Sequence, residues 1–224
     1  MNSVFEERYK AIDKIAGRIN LKPALRQTKE LVREFPHEPK ARYLLNLLLC
    51  LCGDFSSVAT EEAEQYCPDF DPLVHGDMQR DRIIGIARYG TVEDFDLAYN
   101  DLEPAIRKVH AKDSERLACL ESALGQLAYA QGQHELAMQY HLRASALRTS
   151  LGPHTDKEGI ELNMVYWLRV IVAMHGCRTQ QANELWSLLR QSERANHAKI
   201  IRIPFIGVRM YDWLHQHRTL PLPL

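Results

Sequence analysis

Four glycines do most to limit what this chain can fold into. Gly53, Gly90, Gly132 and Gly176 each stand between an apolar helical stretch and a second amphipathic one, in CLCGDFSSV, ARYGTVEDFDLA, YAQGQHELAMQY and AMHGCRTQQANELW. Their spacings are 37, 42 and 44 residues, and Asn20, which tolerates a left-handed backbone, lies 33 residues before the first. A period of this length, with a tight turn inside each unit, describes stacked helical hairpins. The stretches between prolines carry helical periodicity. Phe5, Tyr9, Ile12, Ala16 and Ile19 share one helical face, as do Phe95, Ala98, Tyr99, Leu102 and Ile106, and again Leu136, Ala137, Tyr140, Ala144 and Leu147. Ser3 with Glu6 and Thr155 with Glu158 read as capping boxes, and Thr91 with Asp94 as a weaker version. No run of strict alternation bounded by turns stands as a strand. The expected fold class is all-α.

The segment Glu121–Arg148, ESALGQLAYAQGQHELAMQYHLRASALR, resembles a tetratricopeptide repeat. Leu124-Gly125 stand at that family's Leu-Gly pair, Gly132 at its turn, and Ala137 and Ala144 at its small residues. Ala24, Leu31 and Pro36 fit the second half of an earlier repeat, and Ile84-Gly85 lie near the Leu-Gly place of a third. The resemblance covers about residues 15–195. It implies a right-handed solenoid of about five hairpins in one domain spanning 1–224, with repeats over about 20–195. Helices at about 4–19 and 205–217 would cap it, because no hairpin buries its apolar face alone.

The net charge of −1 conceals three blocks. Residues 1–53 carry a net +4, residues 54–104 a net −10 and residues 105–224 a net +5. An acidic middle between mildly basic ends suits a protein that offers a charged face to a partner. Bases alternate with acids along the chain instead of forming a stripe, which speaks against nucleic acid. No apolar run approaches the ~18 residues of a membrane span, and MNSVFEERYK is not a secretory signal. Five scattered cysteines do not form a disulfide framework. The chain reads as cytoplasmic and reduced, with no membrane partner.

Motifs for chemistry are absent. There is no phosphate loop, dinucleotide fingerprint, nucleophile elbow or H-E-x-x-H. Cys50 and Cys52 point about 200° apart on a helix and cannot share a tetrahedral ion, and a Cys52/Cys67/His75 site is less favoured than buried structural cysteine. The acids Asp69, Asp71, Asp77 and Asp81 lack the spacing of a calcium loop and read as an exposed interhelical loop. His134 and His141, seven apart on one helix face, have no acid placed to orient them. Neither a cofactor nor a metal is expected, and the chain is not expected to be an enzyme.

The resemblance implies a ligand groove lined by the first helix of each unit. Its candidate positions are Tyr43, Arg80, Gln126, Tyr129, Asn163, Tyr166 and Trp167, with Lys40, Asp77 and Ser122 beside them. Their amides, guanidinium and aromatic rings are what an extended peptide needs. The expected function is a non-catalytic protein- or peptide-binding adaptor or chaperone. The alternative is a self-associating structural or secretion-machine accessory component, a homodimer or one docking through its C-terminal helix or acidic face. Val32–Phe55, VREFPHEPKARYLLNLLLCLCGDF, resembles the N-terminal part of the ImpE/TagJ family of type VI secretion accessory proteins.

Overall fold

A computed structural model describes residues 3–16, 21–56, 58–67, 69–151, 165, 166, 168–170, 172, 173 and 178–195. All regular structure among these is helical. The helices are α1 (Ser3–Ala16), α2 (Leu21–Glu34), α3 (Pro39–Leu51), α4 (Val58–Tyr66), α5 (Pro72–Tyr89), α6 (Val92–Leu97), α7 (Glu103–Val109), α8 (Ser114–Ala130), α9 (His134–Ser150) and α10 (Thr179–Ala195). A π-helical turn, Ala98–Leu102, joins α6 to α7. The all-α expectation holds, as a series of helical hairpins.

The chain divides into two compact units, Met1–His110 and Ala111–Leu224. In the first, α1 packs on α2, α2 on α3, α3 on α4 and α5, and α5 on α6 and α7. The apolar stripe of α1 is buried at Phe5, Ile12 and Ala16, and Phe5 meets Phe35 edge-on at 5.5 Å. In the second, α8 lies against α9 along its length. Ala137 and Ala144 are fully buried there, which lets the two helices approach closely.

Two of the turn glycines do what their spacing implies. Gly53 and Gly132 have φ of 91° and 72°. Around each, the helix closes with paired backbone bonds. Asp54 N–H donates to the Leu49 carbonyl and Gly53 N–H to Cys50, while Gln133 N–H donates to Ala128 and Gly132 N–H to Tyr129. These are Schellman closures, which need a left-handed residue at the glycine. Gly90 differs. Its φ is −75°, and its N–H bonds Ile86 at 2.8 Å. What it needs is space, since a Cβ there would meet the Ile86 carbonyl oxygen at 2.6 Å. Gly176 and Asn20 lie outside the described residues.

After Gly90 the second helix is not regular. Thr91 N–H and hydroxyl both donate to Asp94, at 2.7 and 3.0 Å, so the weak capping box is made. Pro104, without an N–H, follows, and the Glu103 N–H reaches back to the Ala98 carbonyl as a π bond. Ala98, Leu102 and Ile106 are buried as the periodicity implies, with Phe95 and Tyr99 half-buried. The expected C-terminal helix at 205–217 and the Thr155 capping box lie outside the described residues.

Candidate functional site

The groove positions separate by burial. Arg80, Gln126 and Tyr129 are 8%, 8% and 6% exposed. Tyr43 and Tyr166 are half-buried, and Asn163 and Trp167 lie outside the described residues. Gln126 Nε2 donates to the Ser122 carbonyl of its own helix at 3.5 Å, and the Tyr129 ring stacks on His134 at 5.5 Å. Arg80 holds Asp77 at 2.9 Å and Asp81 at 3.0 Å. Tyr166 lies under the Arg169 guanidinium at 5.6 Å, and Arg169 Nη1 donates to Ser145 Oγ at 3.2 Å. Lys40 reaches Glu6 of α1 at 2.8 Å.

The four acids expected in one exposed loop are split between a loop and a helix. Asp69 and Asp71 are exposed, and Asp71 caps α5 by accepting the Leu73 N–H at 2.9 Å. Asp77 and Asp81 fall inside α5, and Asp81 is 1% exposed. The reason is that Asp71-Pro72 starts a helix there: the cap and the proline at the first helical position commit the next residues to it. The fully buried ring of His110 then places Nε2 3.8 Å from Asp77.

Three buried polar side chains of the first unit, Arg42, Asn46 and Arg82, tie its helices to neighbouring segments. Arg42, 3% exposed, donates to the Pro36 carbonyl at 3.1 Å, pairs with Glu62 at 3.0 Å and covers the Tyr66 ring at 4.4 Å. Asn46 donates to the Met78 carbonyl at 3.2 Å, linking α3 to α5. Arg82 donates to the Phe55 carbonyl at 3.0 Å. Each bond satisfies a group that burial would otherwise penalise by ~1–3 kcal/mol.

Among the described residues, no group of three potential metal ligands converges, and no disulfide joins Cys50, Cys52, Cys67 and Cys119. Cys50 is buried and Cys52 exposed, as opposite helix faces require. His75 turns to Glu64 at 3.2 Å and not toward either cysteine. Among the described residues no helix is long and apolar enough to cross a membrane.

Two helices of the first unit expose charge mainly of one sign. Glu93, Asp96 and Asp101 are exposed along α6 and the π turn. Lys22, Arg26, Lys29 and Arg33 are exposed on α2. The reading that bases do not form a stripe is corrected here: along the chain Glu30 and Glu34 interrupt them, but on the helix surface the four cations share one face. Reading charge with the period used for apolar residues would have found it.

No family model and no curated protein matches the chain. Among solved structures, the chain is similar to the "MamA RS-1 ArsTM double mutant", at 17% identity, with 87% of this chain and 97% of that chain covered and a TM-score of 0.46.

Proposed function

We propose that this chain is a non-catalytic adaptor that holds a protein partner on the exposed faces of its helical hairpins. The observation that supports this is the division between two kinds of polar group. Arg42, Asn46 and Arg82, all buried, are bonded to neighbouring segments. The exposed charge is instead mainly basic along α2, four cations to the two acids Glu30 and Glu34, and acidic along α6, where a partner could meet it. Tyr43 in the first unit and Tyr166 in the second, each half-buried, are candidate contact positions of their own units, with Asn163 and Trp167 proposed beside Tyr166 in sequence.

The test is capture and return. The immobilised chain should retain a discrete protein from lysate of its source cells at about 50 mM salt and release it as screening rises. The recaptured, purified partner should then bind saturably. Retention no different from that of a charge-matched unrelated protein would remove the reading. Light scattering on the chain alone separates the adaptor from the self-associating alternative.

A further inference from the structure

We propose that the outer face of α2 is a docking site for an acidic peptide segment of a partner protein. The inference rests on the adaptor reading and names the chemistry of its partner. Lys22, Arg26, Lys29 and Arg33 are exposed and follow one another at steps of four, three and four residues. At 100° and 1.5 Å per residue they fall within an arc of roughly 60° and span about 16 Å. Among the described residues none of the four enters a salt bridge. Glu34, the acid beside Arg33 in sequence, is instead paired with Arg8 of α1.

The row works against its own helix. Like charges at three- and four-residue steps repel one another, and Lys22 stands in the first turn, where the helix dipole is already positive. A ligand bearing carboxylates relieves both. Beside the row is a depression of about 340 Å³ lined by Arg8, Ala11, Ile12, Arg26, Gln27 and Glu30. Arg8 there is already paired with Glu34, so Arg26 beside Glu30 is the cation left to meet an acidic side chain entering between α1 and α2.

The composition of the face selects the occupant. The exposed residues of α2 are Lys22, Arg26, Lys29, Glu30, Arg33 and Glu34. No aromatic ring stands among them to stack a nucleobase, and no apolar side chain to enter a bilayer. The cationic row is one side chain wide and bordered by Glu30, so a broad polyanion meets repulsion at its edge. A peptide is narrow enough. It carries carboxylates at matching intervals, every third or fourth residue of a helix or every second of a strand, and Arg and Lys hold carboxylates through charge-assisted hydrogen bonds.

The probe is a fluorescein-labelled peptide of about twelve alternating Glu and Asp residues, titrated with the full chain at low salt. Saturable binding is expected, weakened by raised salt. Arg26→Ala/Lys29→Ala should reduce affinity roughly tenfold, whereas Lys10→Ala/Lys14→Ala on α1, which removes the same charge, should change it by less than about twofold. Equal losses would mean that only net charge is read, and would overturn the site. Carbodiimide cross-linking of the unsubstituted chain needs no variant: adducts at Lys22 and Lys29 support the site, and equal yields at Lys10 and Lys14 overturn it. Duplex DNA or phosphatidylserine vesicles that outcompete the peptide at equal charge would overturn it in favour of those ligands. A dimer that Arg26→Ala/Lys29→Ala dissolves would assign the face to a second copy instead. A natural partner that binds this variant normally sinks the α2 site and leaves the adaptor reading standing. Peptide held at α2 with no protein partner captured does the reverse.

Discussion

His141 and Gly125 show how one residue's chemistry depends on another's absence of a side chain. His141 is fully buried, and neither ring nitrogen has a hydrogen-bond partner among the described residues. A Cβ at position 125 would sit 2.5 Å from the imidazole, so the glycine makes room for the ring. Gly125→Ala should cost roughly 1–3 kcal/mol by overpacking, and less in a His141→Ala background. Calorimetry of the four proteins in that cycle checks the coupling; additive losses would show that the two sites do not interact. Burial, and secondarily the Arg169 charge, pull the His141 pKa down to about 3. The folded form therefore holds the ring neutral while the unfolded chain takes up a proton near pH 6.5. Stability from this group is full above about 6.5 and is lost as pH falls toward 3, about 2 kcal/mol of it by pH 5. Melting temperatures between pH 7.5 and 5 should fall in the natural chain and flatten in His141→Leu.

Among the elements, the turns and the helix crossings carry the sharpest consequences. Gly132 has φ 72°, and a Cβ added there would meet nothing within 4 Å, so substitution acts through the backbone alone. Gly132→Val should destabilise on the order of 1 kcal/mol or more, because a β-branched residue is forced into the left-handed region. Ala137→Leu acts by the opposite route: a fully buried position gains volume at the α8–α9 contact, at roughly 1–3 kcal/mol. Urea denaturation of both variants distinguishes them from surface changes, and wild-type midpoints would mean that neither the turn nor the crossing is as described. Gly90 teaches a different lesson. The same residue type at the same place in the hairpin pattern is required for closeness to Ile86 and not for φ, which a spacing rule has no means of telling apart.

For the whole molecule, the two compact units set a test of cooperativity. The buried His141 imidazole of the second unit, held neutral by burial and by the Arg169 charge, lies against Gly125 of α8. Acidification should thus open α8 and α9 before α3 and α5. Hydrogen exchange at pH 5 and 7, corrected for intrinsic rates, reads this directly. Equal loss of protection in all four helices would show a single cooperative domain. The sequence by itself determined the helical class, the turns at Gly53 and Gly132, the buried stripe of α1 and the opposed faces of Cys50 and Cys52. These follow from local periodicity and turn chemistry, which act within a few residues. It could also have yielded the α2 cation row, had charge been read with a helical period. Only the tertiary structure decided that Arg80, Gln126 and Tyr129 are buried, that Asp81 lies in a packed helix, and that Glu34 turns to Arg8 and leaves the four cations of α2 open. Burial and pairing depend on which helix covers which face, and the covering residues come from elsewhere in the chain.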